Sequence, residues 1–114
     1  MPLSEFERKR IDKIFGEYCS KKIPPHIRTE IRIEYKIRGS EVKLFECRLG
    51  LDDRTIWTEN PVARFKKDEK INTWFLYCAD RNSRWHLFKP NAKSKDIEKL
   101  LDEVERDTTG IFWG

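Results

Sequence analysis

The chain has no hydrophobic run near the roughly 20 residues that a membrane-spanning helix needs. Its opening stretch, MPLSEFERKR, holds no apolar signal-peptide core. A cytoplasmic protein without a membrane partner is therefore expected. Cysteine is scarce: Cys19, Cys47 and Cys78 form an odd set with no C-x-x-C pair, which excludes a disulfide framework and fits reduced thiols. A zinc site built from these thiols with His26 and His86 can be drawn on paper, but no ligand pair sits at metal spacing, which argues against it. No metal and no cofactor is expected. Glycine and proline number only five each, and the chain shows no internal repeat and no low-complexity segment, so fibrous and disordered classes fall away.

What the chain does have is aromatic and charged. Seven Phe, four Trp and three Tyr give a domain of 114 residues large burial per side chain, enough for one modest core spanning residues 1–114. The net charge of +4 is uneven: residues 1–30 carry +2, residues 31–90 carry +4 and residues 91–114 carry −2. The basic excess thus falls on the segment that reads as sheet, where it can attract phosphates.

The order of elements follows from period and punctuation. Ser4-Glu5-Phe6-Glu7 is a capping box, with Glu7 reaching back to the cap. Ile11, Ile14, Phe15 and Tyr18 then form one helical stripe. The helix must end before Ile23-Pro24-Pro25. Ile31, Ile33, Tyr35 and Ile37 alternate with Arg32, Glu34, Lys36 and Arg38, which is a half-buried strand with one charged face. Gly39-Ser40 suits a type II′ turn. The next strand, Glu41–Leu49, starts in phase at Val42 and Leu44 and then switches to Phe45, Cys47 and Leu49. Either a bulge shifts the phase, or Glu46 and Arg48 share the face of Ile33 and Ile31. Residues 50–60 read as a loop, Pro61–Lys66 as a third strand, and Lys67–Lys70 as a charged turn. An aromatic hairpin, Thr73–Pro90, follows; both of its arms are apolar on both faces, which predicts a central place in the sheet. A last helix carries Ile97, Leu100, Leu101 and Val104 behind a cap at Ser94. The expected fold is α+β: a meander sheet of about five antiparallel strands flanked by an N-terminal and a C-terminal helix.

Several motifs together resemble a known family: Glu7–Ile11, Pro24-Pro25-His26-Ile27-Arg28, Phe45-Glu46-x-Arg48, Asp52-Asp53, Trp74-x-Leu76-Tyr77, Trp85-His86 and the terminal Gly110-Ile111-Phe112-Trp113-Gly114. The chain is similar over nearly its whole length to the bacterial small proteins grouped as domain of unknown function 3024. It departs from them at Arg48-Leu49-Gly50-Leu51, where the relatives' Pro and Trp are missing. The resemblance implies a bacterial, cytosolic protein and brings no activity with it.

Four chemistries can be weighed. If Asp80 pairs with Arg84, Cys78 falls opposite His86, and a thiol beside an imidazole oriented by Asp80 is a candidate nucleophile; a Cys among aromatics is more simply an inert apolar residue. Glu34-Tyr35-Lys36 has the E-x-K spacing of metal-dependent nucleases, but the chain between Glu17 and Glu30 supplies no upstream acid, and Asp52-Asp53 alone makes no metal centre. A single-stranded nucleic acid could lie on Arg32, Lys36, Arg38 and Lys43, with Phe45, Trp57 and Trp85 for base stacking. A protein partner could instead cover the second apolar face, unless the tail Ile111-Phe112-Trp113 docks on its own chain. Glu46, Arg48 and His86, with Trp57 and Trp85, are the polar and aromatic residues expected to line any ligand cleft. The leading expectation is a non-enzymatic binding or accessory module with no catalytic residue assigned, nucleic acid ahead of protein as partner. The rival class is a small enzyme using Cys78 and His86 or an acidic metal site.

Overall fold

A computed structural model describes residues 3–89 and 92–113. The first helix, α1, runs Glu5–Lys22. Ser4 caps it by accepting from the Glu7 N–H at 3.1 Å, as the capping box predicts. Glu7 reaches back to the cap through its side chain, accepting from Ser4 Oγ at 3.3 Å. Its other carboxylate oxygen accepts from Lys67 Nζ at 2.5 Å and supplies the counter-charge that this nearly buried ammonium needs. The helix ends at Ile23, in extended backbone just before Pro24. A 3-10 turn, Pro25–Ile27, leads to the sheet.

Five strands form the meander: β1 (Ile31–Arg38), β2 (Glu41–Leu49), β3 (Trp57–Asp68), β4 (Thr73–Ala79) and β5 (Trp85–Leu87), in the order β1-β2-β3-β4-β5. A two-residue strand, β6 (Lys93–Ser94), pairs with β4 beside Trp74 and Phe75. Helix α2 (Ile97–Arg106) follows. The expected α+β architecture is present. At the β1–β2 turn Gly39 has φ +60°, and Ser40 is not among the residues with positive φ, as a type II′ turn requires.

Three local expectations are corrected. The stretch 50–60 is not all loop: strand β3 begins at Trp57, because Trp57–Asn60 pair with Glu46–Leu49. The cap of α2 is Asp96, whose carboxylate accepts from the Glu98 N–H at 3.0 Å, while Ser94 lies in β6 and accepts from the Asp96 N–H. Only the first arm of the aromatic hairpin is internal to the sheet. The second, β5, is an edge strand of three residues, and β6 takes over the remainder of the same edge. Pro90, which closes the predicted hairpin, and the terminal Gly114 lie outside the described residues.

The phase conflict in β2 resolves through pairing. The β1–β2 register is unbroken from Ile31↔Arg48 to Arg38↔Glu41, so Glu46 and Arg48 do share the face of Ile33 and Ile31. A bulge exists, but in β3: Leu44 faces Ala63 and Phe45 faces Pro61, leaving Val62 as the extra residue.

Both helices pack on one face of the sheet. Ile11 and Phe15 of α1 and Ile97, Leu100, Leu101 and Val104 of α2 meet Ile33, Val42, Leu44, Phe65, Trp74 and Leu76 in a single core. Phe15 stands edge-on to Phe65, with ring centroids 5.2 Å apart. Arg10 to Asp96 and Lys22 to Glu105 tie the helices side by side. The C-terminal tail docks on its own chain. Phe112 is buried against Phe88 at 5.0 Å, and Asp107 accepts from the N–H groups of Phe112 and Trp113.

Candidate functional site

With both helices on one side, the opposite face of the sheet is left to the side chains that alternate outward. None of Arg32, Lys36, Lys43, Phe45, Arg64 or Tyr77 belongs to the core cluster. Register places these side chains in rows. One row crosses all five strands: Lys36, Lys43, Arg64, Tyr77 and Leu87. The row beside it, toward the β1–β2 turn, holds Arg38, Glu41, Lys66, Phe75 and Lys93. Six of these ten positions are cationic and one is anionic. Neighbouring strands lie about 4.8 Å apart and next-but-one residues about 6.8 Å apart, so the cations form a dense two-dimensional lattice.

Such an arrangement is unfavourable for the sheet itself. Like charges directly opposite on adjacent strands destabilise, and Lys43 has one on each side, Lys36 and Arg64. Glu41 relieves part of this. Its carboxylate accepts from Arg64 at 2.6 and 2.9 Å and stands 3.6 Å from Lys43. Lys36 leans to Glu59 at 2.8 Å, and that hydrogen bond raises its pKa above the ordinary lysine value. Arg38 and Lys66 make no ion pair among the described residues.

The aromatics interleave with this charge. Arg32 lies 3.8 Å over the Trp57 ring, Lys36 4.9 Å over Phe45 and Arg64 5.9 Å over Tyr77. A concavity of about 590 Å³ opens toward the β3–β4 turn, where Lys66, Lys67 and Lys70 line it together with the acids Asp68 and Glu69 and the rings of Phe75 and Tyr77. At the other end the charge reverses. Cys47, buried under its neighbours, stands opposite Arg32 on β1 and Glu59 on β3, and its Sγ donates to Glu34 at 3.6 Å. Burial first, and Glu34 second, push the Cys47 thiol up to about 11. Donor atoms of Glu34, Cys47 and Glu59 lie within 4.8 Å of one another and are the group among the described residues able to hold a cation. Lys36 on Glu59, and Arg32 at 3.9 Å from Glu34, already supply that positive charge.

The sequence-derived residues divide by face. Arg32, Lys36, Arg38 and Lys43 all lie on the uncovered face, as do Trp57, paired with Leu49, and Trp85, paired with Ala79. Glu46 and Arg48 lie on the helix-side face, ion-paired to each other at 2.7 Å. His86 is on β5 and bonds Asp80 through Nε2 at 2.7 Å. Glu46, Arg48 and His86 therefore do not converge: strands β3 and β4 stand between them. The hairpin register does put Cys78 opposite His86, with Asp80 N–H donating to Arg84 O at 2.9 Å. The thiol, however, donates to the His86 backbone carbonyl, not to the ring, and burial raises its pKa. No thiol–imidazole couple forms, because the ring is held by Asp80.

Arg64, Lys66, Phe75, Tyr77 and Lys93 escaped the sequence reading. The alternation of Arg64 and Lys66 with Ala63 and Phe65 was there to be read; what it lacked was the register that joins it to Lys36 and Lys43.

The chain belongs to the family described as domain of unknown function (DUF3024), whose model matches residues 3–114. Neither the search of curated proteins nor that of solved structures returned a match.

Proposed function

We propose that this DUF3024 member is a binding module that holds single-stranded nucleic acid on the uncovered face of its sheet. The observation that carries the reading is the row Lys36–Lys43–Arg64, three cations side by side on three strands, ending in Tyr77. A folding-only explanation has no use for that row, since it opposes like charges where neutral β-formers would pair better. Glu59 and Glu41 answer the row only in part, one carboxylate serving both Lys43 and Arg64. A phosphate backbone would add counter-charge there and at Arg38 and Lys66 beside it. Phe75 and Tyr77, half-buried and beside the cations, offer faces on which bases stack. Duplex DNA suits this surface less well, because a broad sheet face bearing flat rings addresses unpaired bases, not groove edges.

The test is fluorescence anisotropy with a labelled single-stranded oligonucleotide, titrated from low to physiological salt. Neutralising about five phosphates should give a log–log salt slope of about −3.5, and replacing Lys43 should reduce its magnitude by about 0.7. Absence of binding at low salt, or affinity indifferent to salt, sinks the reading.

A further inference from the structure

We infer that two copies of this chain join edge to edge through β1, antiparallel, with the two-fold axis at Ile33. Strand β1 is an outer strand of eight residues without Pro, Gly or bulge. The Leu49 N–H donates to Glu30 O at 2.9 Å, and with the β1–β2 register this turns the backbone groups of even-numbered residues toward β2. The N–H and C=O groups of Ile31, Ile33, Tyr35 and Ile37 therefore point off the sheet, and none finds a backbone partner outside its own strands among the described residues. Edges of this length are ordinarily shortened, bulged or covered.

The side chains choose the partner. With the axis at Ile33, the outward backbone groups of Ile31, Ile33 and Tyr35 meet those of the partner's Tyr35, the partner's Ile33 and the partner's Ile31. The charged residues then occupy the non-hydrogen-bonded positions, where facing side chains come closest. Arg32 meets the partner's Glu34, and Glu30 meets the partner's Lys36. The facing pairs from Glu30 to Lys36 are all of opposite sign; beyond them Arg38 comes level with the partner's Arg28, which lies outside β1. Moving the axis to Tyr35 sets Arg32 against the partner's Arg38, and moving it to Ile31 runs off the strand. Charge complementarity thus selects a second copy of this chain, in one register. Room is available on the helix side. A groove of about 430 Å³ runs beside the edge, lined by Gly16, Cys19, Ser20 and Ile23 of the α1 end above Ile33 and Tyr35. A Cβ at Gly16 would meet nothing within 4 Å.

The association does not depend on the nucleic-acid reading, and its test contains no nucleic acid. Sedimentation equilibrium of the full chain should show a dimer. Arg32→Glu and Glu34→Arg should each raise the dimer dissociation constant about tenfold or more, by setting like charges face to face twice. An equimolar mixture of the two variants should restore wild-type association, since each Glu then faces an Arg. Circular dichroism establishes that each variant is folded. A monomeric wild type, or single variants that associate as the wild type does, overturns the proposal. A wild-type monomer that binds an extended foreign peptide at this edge overturns it as well, in favour of a different occupant.

Discussion

Lys43 shows how the face is built one residue at a time. It stands between Lys36 and Arg64 and faces its nearest acid, Glu41, at 3.6 Å. Replacing it with Thr removes two like-charge pairs and adds a better strand former, so the protein should gain about 0.5 kcal/mol in denaturant melts. The same variant should bind single strands more weakly. A variant that loses both stability and binding would show that Lys43 serves the fold. Carboxylates set the acid limit. Glu7 is held below its ordinary value of 4.5, first by the hydrogen bond from Lys67. Asp80 is held at about 2, first by the Arg84 backbone N–H and then by His86. Both pKa values are depressed by folding, so the stabilisation is complete above the unfolded values of 4.5 and 3.8 and is lost as pH falls toward 2. The melting temperature should drop across that window, and Asp80→Ala should be less stable at neutral pH with a shallower acid limb. An unchanged limb would remove Asp80 from the account.

Elements were legible where period and punctuation agreed. The α1 stripe of Ile11 and Phe15 is buried, and the helix stops at the Pro24 signal. The alternation in β1 reads directly onto its two faces. Legibility failed where long-range pairing decides. Trp57–Asn60 carry no strand pattern, and they are strand because β2 lies alongside. The two residues of β6 are strand only because β4 offers an open edge at Trp74 and Phe75. The bulge at Val62 belongs to the same pairing, and its local mark is Pro61, which cannot donate to the ladder of an internal strand. The loop between β2 and β3 gives a sharp prediction. A Cβ on Gly50 would stand 2.5 Å from the Asp53 carbonyl oxygen and 3.2 Å from that of Ile56. Gly50→Ala should therefore cost about 2 kcal/mol in chemical unfolding, and the loop that carries Asp52-Asp53 should shift. A neutral substitution would mean that this loop does not hold its shape.

At the scale of the whole molecule, placing both helices on one face is what makes a site from ordinary strand residues. The candidate residues Arg32, Lys36, Arg38 and Lys43 were visible in the sequence because they alternate with isoleucine and with the apolar half of β2. Their companions Arg64, Lys66 and Tyr77 were not, because rows across a sheet exist only once register is known. The set Glu46, Arg48 and His86 was assembled from residue type alone, and topology keeps its members apart. Arg8, Lys9 and Lys13, exposed along α1, form a second basic surface on which the proposed ligand could lie instead. Titrating isotope-labelled protein with a single-stranded oligonucleotide and following its NMR shifts separates the two. The account predicts shifts at Lys36, Lys43, Arg64, Lys66, Phe75 and Tyr77, with Arg8, Lys9 and Lys13 unmoved. Shifts concentrated on α1, with the rows of the sheet silent, would contradict it.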